Sequence, residues 1–238
     1  MKIKLTHPLI SCICITDSRP KMLLKAIVSF DQQNYPNKEM VISYPSTDHF
    51  TKELIQKLQL IADTRFVILE RSPEISIGAA RNDAVSQANG NYICLWDDDD
   101  YHYEMRIKMQ YNSLQSNGQF KEASMLSKIL LYDSRTGEVY ISFPSYWSGS
   151  LLCKKELVLK HPFASSDIAE ASPLIEFLVH KNYLDQSIDL PQLYVYIYHG
   201  TNIHQADQFE AFIANSEQLN AENSDMVRPY IEKQYQLN

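Results

Sequence analysis

Four consecutive aspartates, Asp97 to Asp100, form the densest group of chemically active side chains in the sequence. Adjacent carboxylates repel one another unless water solvates them or a cation neutralises them. Mg²⁺ and Mn²⁺ suit this role because they prefer oxygen ligands and are often held by one or two carboxylates together with substrate phosphates. A solvated acidic turn is the alternative interpretation of the same run.

The aspartates directly follow residues 92–96, an apolar run of strand length. Such a run is typical of a strand that is buried on both faces. Ligands of open α/β sheets bind outside the carboxyl ends of the strands. The position of the run therefore favours a ligand site over a solvated turn.

The elements that position this run alternate between strand-like and helix-like segments, which indicates a parallel sheet with crossover helices. Strands are predicted at 9–16, 40–44, 65–69 and 92–96. The helices between them are predicted to begin with Ser18 as cap and Pro20 in the first turn, with Thr47 or Asp48, and with Ser76.

The second half of the chain has a different pattern. Strands are predicted at 125–132, 139–143, 150–153 and 193–198, helices at 103–116 and 174–181, and one or two polar helices over 206–235. No internal repeat, low-complexity tract or Gly/Ser linker separates the halves. We therefore predict a single continuous domain over residues 1–238.

Composition and charge exclude several classes of function. The 22 basic and 29 acidic residues give a formal charge of −7, and no dense basic run is present, which argues against nucleic-acid binding. No segment approaches the about 18 apolar residues of a membrane span. The apolar N-terminal stretch is too short for a signal peptide and is followed by charged residues, so we interpret it as a strand. A cytoplasmic protein is expected, with a peripheral membrane contact left open.

The four cysteines lie at positions 12, 14, 94 and 153, each within an apolar segment. Their spacing matches no zinc site, and we expect reduced core cysteines.

Five separated motifs resemble the family 2 glycosyltransferases of the GT-A fold. They are residues 8–20, 26–36, 46–48, 77–82 (Ile-Gly-Ala-Ala-Arg-Asn) and 90–100, which ends in the four aspartates. The order and spacing match over 8–105 and more loosely to about residue 205. Agreement of five motifs is far more specific than any one of them.

The resemblance implies an α/β protein with a mixed central sheet flanked by helices. It also implies transfer of a sugar from a nucleotide-diphosphate donor, such as a UDP- or GDP-sugar, to a glycan or other hydroxyl acceptor. Inversion at the anomeric carbon and a role in surface-glycan assembly are expected. Residues 8–105 would form the donor half, 106–205 the acceptor half and 206–238 a helical tail. The oligomeric state is not indicated.

By the same resemblance, Asp97 and Asp99 are the first and third residues of an Asp-x-Asp signature that binds Mn²⁺ or Mg²⁺. Asp99 is expected to contact the metal and Asp97 to reach the ribose or the metal shell, with Asp100 beside them. Asp98 is expected among the residues that bind the donor. The metal would neutralise the charge that builds on the departing diphosphate. His199 resembles a C-terminal histidine that completes the metal site in some GT-A enzymes, although a structural role is the alternative; His204 is a weaker candidate.

Further residues are expected at the donor. Arg81, in the helix that begins near Ser76, would lie by the phosphates, with a surface pairing to Asp83 or another carboxylate as the alternative. Thr16 and Asp17 would line the nucleoside pocket. The family's paired aspartates after the second strand are replaced here by 43–48, where Asp48 is kept as a donor residue and Tyr44 is expected to stack on the base.

The catalytic base is expected near 167–171, where the family carries a Glu-Asp pair. This sequence has Glu170 followed by Ala171, so Glu170 is the first candidate base and Asp167 the second. Tyr146 and Trp147 could stack on a sugar or belong to the core.

Two other functions are retained as alternatives. Ala171 and the altered 43–48 segment fit a donor-binding or scaffold protein without turnover. A sugar-phosphate nucleotidyltransferase is less favoured because residues 16–20 contain no glycine-rich loop.

Overall fold

The computed structural model describes residues 7–60, 64–116, 121–202 and 206–235. The strands are β1 Ile10–Ile15, β2 Lys38–Pro45, β3 Phe66–Arg71, β4 Tyr92–Leu95, β5 Tyr101–His102, β6 Ala123–Ser124, β7 Leu130–Asp133, β8 Glu138–Ile141, β9 Leu152–Lys154, β10 Leu184–Asp185, β11 Tyr194–Tyr198 and β12 Glu217–Gln218. The helices are α1 Pro20–Asp31, α2 His49–Leu60, α3 Ile77–Gln87, α4 Arg106–Ser116, α5 Lys155–Lys160, α6 Ser172–His180, α7 Ala206–Ala214 and α8 Ala221–Tyr235.

The larger sheet has seven strands in the order β10-β6-β9-β4-β1-β2-β3. Strands β1 to β4 run parallel, and β9 pairs antiparallel to β4. The predicted mixed sheet is therefore confirmed. Strand β4 lies at its centre and contributes Cys94 to the core on one face and Ile93 and Leu95 to the core on the other. This two-sided burial explains the continuous apolar run in the sequence.

The smaller sheet has five strands in the order β12-β8-β7-β11-β5. Strand β5 begins at Tyr101 and pairs antiparallel to β11. The chain thus leaves β4 in one sheet, passes through the four aspartates and enters β5 in the other sheet. The acidic run is therefore one of the connections between the two sheets.

Four local predictions need correction. The strand predicted at 125–132 is divided, because residues 125–129 carry the chain from β6 in the larger sheet to β7 in the smaller one. Ser18 does not cap α1; its φ of 55° turns the chain, and its N–H donates to Asp48 Oδ2 at 2.6 Å. Helix α5 was not predicted. The tail is less polar than expected, since Phe209 and Ile231 are fully buried against the smaller sheet's core.

Two expectations on composition can be compared with the described residues. The four cysteines are buried and free, as expected. Among the residues the structure describes, no helix is long and apolar enough to cross a membrane.

Asp48 generates a prediction about stability. Its buried carboxylate accepts the Thr51 N–H at 3.0 Å at the start of α2 and the Ser18 N–H from the turn after β1. Burial acts to raise the pKa of Asp48, but these hydrogen bonds hold it below its usual value. We expect Asp48→Ala to lower the free energy of unfolding by about 1–2 kcal/mol at pH 7, measured by urea unfolding.

The pH dependence of this loss has a definite sign. A carboxylate whose folded pKa is depressed stabilises the fold above its unfolded pKa of about 3.9, and this stabilisation disappears as the pH falls through the folded pKa. The difference between wild type and Asp48→Ala should therefore shrink below about pH 4. A difference that is constant from pH 7 to pH 3 would contradict the capping role.

Candidate active site

The four aspartates border a cavity of about 320 Å³ at the carboxyl ends of β1 and β4. The opposite wall is formed by residues 167–172, which lead into α6. Arg19 and Arg81 line the same cavity. The structure therefore brings the predicted metal-binding run, the predicted base segment and two cations to one place.

Arg19 bridges two of the aspartates. Its guanidinium donates to Asp98 Oδ1 at 2.6 Å and to Asp99 Oδ2 at 2.7 Å. The planar fork of an arginine suits such a pair of carboxylates. Sequence reasoning missed Arg19, although its position directly after the first strand and before Pro20 was a usable signal.

Both carboxylate oxygens of the buried Asp98 accept hydrogen bonds from other side chains. Arg19 occupies its Oδ1, and Thr16 Oγ1 donates to its Oδ2 at 2.6 Å. Burial and then the charge of Asp99 raise the pKa of Asp98 to about 7. Thr16 and Asp98, both predicted at the donor, thus bind each other and anchor the acidic run to the end of β1.

Asp99 meets His199, which lies 100 positions later in the chain. His199 Nε2 is 3.3 Å from Asp99 Oδ2, and Thr201 Oγ1 lies 2.8 Å from the other ring nitrogen, Nδ1. Burial acts to raise the pKa of Asp99, but the hydrogen bond from His199 and the charge of Arg19 bring it below the usual value. The two residues predicted to contact a metal are therefore adjacent.

This pair can be tested against the needs of a divalent cation. A carboxylate oxygen and an imidazole nitrogen are ligands that Mn²⁺ accepts. No group of three or more His, Cys, Asp or Glu residues is gathered closely enough to hold a metal within the described part of the chain. Asp99 and His199 would therefore supply two ligands, and substrate phosphate and water would supply the others. Such a set fits a cation that is held together with its substrate.

Arg81 connects the acidic run to the opposite wall. It donates to Asp97 Oδ1 at 2.7 Å and also to Glu170 Oε1. Its partners are thus carboxylates other than Asp83, and the pairing is buried rather than at the surface. Arg81 is only 8% exposed, so this ion-paired chain of Asp97, Arg81 and Glu170 lies at the base of the cavity.

The start of α3 packs directly against the segment that carries Glu170. Ser76 Oγ accepts the Ala79 N–H at 3.4 Å as predicted for a cap, and Asp167 Oδ1 accepts the Ile77 N–H at 2.8 Å. A Cβ atom at Gly78 would lie 1.8 Å from the Ala164 carbonyl oxygen. Glycine is therefore required for this close approach.

Glu170 and Asp167 both line the cavity, but in different environments. Glu170 is buried and bound to Arg81, whereas Asp167 is exposed and caps α3. They lie in a turn before α6, in which Ala169 has a φ of 56°.

Several predicted donor residues lie outside the cavity lining. Tyr44 is 3% exposed and donates to Glu70 Oε2 at 3.1 Å, so its ring is not available for a base to stack on it. Asp48 caps α2, and exposed Asp17 accepts a hydrogen bond from Ser18 Oγ at 2.9 Å.

The two aromatic candidates, Tyr146 and Trp147, lie in different environments. Tyr146 lines the cavity and is 49% exposed. Trp147 packs in the core beside β11, and its Nε1 donates to the Phe143 carbonyl at 3.2 Å. His204 lies outside the described residues.

Asp100 was not assigned a role from the sequence. It accepts hydrogen bonds from the Tyr194 hydroxyl and from the Ile197 N–H at 2.9 Å, both in β11. Burial and then the charges of Asp99 and Asp97 raise the pKa of Asp100 well above its usual value. Asp100 thereby fixes the acidic run to the strand that leads to His199.

Residues 11–120 match the family model described as glycosyl transferase family 2. This part of the chain is therefore similar to the family 2 glycosyltransferases. A GalNAc(5)-diNAcBac-PP-undecaprenol beta-1,3-glucosyltransferase of Campylobacter jejuni is 30% identical over 93 residues, which are 39% of this chain and 30% of that protein. The chain spans 30% to 48% of the length of the curated relatives it matches.

Two solved structures share the fold of this chain. The mannosyltransferase PcManGT from Pyrobaculum calidifontis, in complex with GDP-Man and Mn²⁺, has a TM-score of 0.67 at 12% identity and covers 98% of this chain and 71% of its own. S. aureus TarS 1-349 in complex with UDP-GlcNAc has a TM-score of 0.64 at 14% identity, with 95% and 72% covered. The predicted GT-A fold is confirmed.

The ion-paired chain predicts the effect of removing Arg81. Arg81→Ala leaves Asp97 and Glu170 without their shared cation, and breaking such a buried pair costs about 3 kcal/mol. We expect that loss in the free energy of unfolding, measured by urea denaturation. Arg65→Ala is the control, because Arg65 pairs with Asp31 at an exposed site and its loss should cost less than about 1 kcal/mol. Equal stability of the two variants would contradict the buried network.

Proposed function

We propose that this chain transfers a sugar from a nucleotide-diphosphate donor to a hydroxyl acceptor, with inversion and with dependence on Mn²⁺ or Mg²⁺. The observation that carries the proposal is that one cavity is lined by the Asp97–Arg81–Glu170 chain and by Asp99, which His199 contacts from outside the cavity lining. The Asp99–His199 pair would hold a cation beside a diphosphate, and Glu170 offers a carboxylate on the opposite wall of the cavity.

The nature of the donor is supported by the structural neighbours. TarS was solved with UDP-GlcNAc, and PcManGT with GDP-Man and Mn²⁺. A UDP- or GDP-sugar therefore remains the proposed donor for this chain. Because Tyr44 is buried, groups other than Tyr44 would recognise the nucleobase of the donor.

Asp99 and His199 would hold the metal. When bound, Mn²⁺ or Mg²⁺ supplies Lewis-acid stabilisation of the negative charge on the departing diphosphate. Arg19 fixes the Asp99 carboxylate in one orientation by its hydrogen bond to Oδ2, and it adds a positive charge at the wall of the cavity. Such preorganised charge requires no rearrangement during the reaction.

Glu170 is the proposed base. Arg81 binds Oε1 and holds the side chain in place, so Oε2 is the oxygen that would accept the proton of the acceptor hydroxyl. Asp167 is the second candidate, but its Oδ1 already accepts the Ile77 N–H. Ala171 has no carboxylate and is 2% exposed.

The acceptor is proposed to be a saccharide in surface-glycan assembly. Tyr146 presents a half-exposed aromatic ring at the cavity, on which the apolar face of a sugar can pack. The Campylobacter jejuni relative bears the name of a transferase for an undecaprenol-linked saccharide. A cytoplasmic location stays a prediction.

A second candidate function is a donor-binding protein without turnover. Ala171 in the base motif and the capping role of Asp167 favour it. Turnover decides between the two functions, since a binding protein would take up UDP or GDP with Mn²⁺ but release no free sugar from a nucleotide sugar.

The base assignment gives the test of the proposal. The amide oxygen introduced by Glu170→Gln can still accept the Arg81 hydrogen bond, so we expect this variant to keep its affinity for UDP or GDP with Mn²⁺. Its transfer rate should fall about 10²- to 10⁴-fold, the usual effect of removing a general base. Asp167→Asn is the matched control and should lose far less. The measurements are titration calorimetry and sugar transfer from UDP-GlcNAc and GDP-mannose to a panel of aryl glycosides.

Three outcomes of this test are informative. Undiminished transfer by Glu170→Gln would remove Glu170 from the mechanism. Full activity of the wild type after exhaustive chelation would exclude metal dependence. Binding without hydrolysis or transfer by the wild type would favour the donor-binding protein.

A further inference from the structure

Behind the acidic run lies a fully buried cation, Arg106, at the start of α4. Within the described part of the chain, no carboxylate lies within salt-bridge distance of it. An arginine buried in this way loses its hydration, which other contacts must replace. The protein groups that replace this hydration are the groups that Arg106 holds in place.

The guanidinium donates to four different segments of the chain. Nη2 donates to the Leu95 carbonyl at the end of β4 at 3.0 Å and to the Gly149 carbonyl at 2.8 Å. Nε donates to Gln110 Oε1 at 3.2 Å, and Nη1 donates to Nδ1 of His102. The rings of Trp96 and Tyr194 lie 5.5 Å and 5.0 Å from the guanidinium carbon, within the range of cation–π attraction.

Arg106 determines the tautomer of His102. A guanidinium has only donors, so Nδ1 of His102 must accept and carry no proton. A neutral imidazole then carries its proton on Nε2, which lies 3.1 Å from the carbonyl oxygen of Asp97. The ring is buried and packs against Trp96 at an interplanar angle of 33°, with 3.9 Å between the ring centroids, so its orientation is fixed.

The segment at Gly149, whose carbonyl accepts a hydrogen bond from Arg106, also packs closely against the Asp97 side chain. A Cβ atom at Gly149 would lie 2.9 Å from Asp97 Oδ2 and 2.3 Å from the Tyr194 hydroxyl. Arg106 holds the Gly149 carbonyl and His102 holds the Asp97 carbonyl, so the two segments are fixed against each other. Asp97 is therefore clamped at its backbone by His102 and at its carboxylate by Arg81.

We propose that Arg106 and His102 are positioning residues for the reaction, in which Arg106 fixes the Nε2–H tautomer of His102 and His102 holds the first aspartate of the acidic run through its carbonyl. The catalytic part of this inference rests on the proposed function. Neither residue lines the cavity, so they act through Asp97 and its neighbours rather than on substrate.

The tautomer is measured without any substrate. Protein labelled with ¹⁵N-histidine should show, for His102, a protonated Nε2 and an unprotonated Nδ1 in long-range ¹H–¹⁵N spectra, assigned by loss of the signals in His102→Gln. This pattern should persist across the pH range in which the fold is stable, because Arg106 opposes protonation of Nδ1. An Nδ1–H tautomer or an imidazolium would overturn the inference.

Measurements of kcat/KM distinguish a positioning role of His102 from a role in stability alone. His102→Phe keeps an aromatic ring but removes both hydrogen bonds, and we expect kcat/KM for the nucleotide sugar to fall about 10- to 100-fold. His102→Gln can still accept from Arg106 and donate to the Asp97 carbonyl, so it should recover most of the loss. His161→Phe is the control, since His161 stacks on Phe177 away from the cavity.

The outcomes distinguish this inference from the proposed function. Wild-type kcat/KM in folded His102→Phe would overturn the positioning role, as would a loss in His102→Gln as large as in His102→Phe. If His102→Phe does not fold, the kcat/KM of His102→Gln and the tautomer of His102 in the wild type still test the positioning role. A wild type that shows no turnover would overturn the proposed function itself.

Discussion

The structure depends on three arginines that surround four adjacent carboxylates. Arg19 precedes α1, Arg81 lies in α3 and Arg106 begins α4, so each comes from a different element. Arg19 and Arg81 bind the carboxylates directly, and Arg106 lies behind them without a carboxylate partner among the described residues. Without these charges, carboxylates gathered at the end of a buried strand would repel one another strongly.

This constraint explains why the helices surround the site as they do. The acidic run crosses from the larger sheet to the smaller one, so its conformation sets how β4 and β5 are placed. Thr16 and Arg19 tie the run to the end of β1, and Tyr194 ties it to β11. The geometry of the cavity and the relation between the two sheets are therefore established by the same hydrogen bonds.

Local sequence patterns predicted the order of strands β1 to β4 and of the helices between them, although not the cap of α1. The continuous apolar run before Asp97 predicted a central strand, and Ser76 predicted the start of α3, because burial on both faces and helix capping are properties of a few consecutive residues. The strand predicted at 125–132 failed because apolar residues there cross between two sheets. Periodicity does not distinguish that path from a single strand.

The site was predictable in its residue types but not in its pairings. The contact of Asp99 with His199 depends on the pairing of β5 with β11, which no local pattern specifies. Arg19 was given no role from the sequence, and Tyr44 was expected to be an accessible ring although β2 is buried throughout. Such side-chain partners follow from tertiary packing, which only the folded chain defines.

The most direct test of this account is the position of Mn²⁺ in crystals soaked with UDP or GDP and MnCl₂, located by anomalous scattering. The account predicts one strong peak bonded to Asp99 Oδ2 and His199 Nε2, adjacent to the diphosphate, and its loss in Asp99→Asn crystals treated in the same way. A nucleotide bound in the cavity with no anomalous peak at these two residues, or with an unchanged peak in Asp99→Asn, would contradict it.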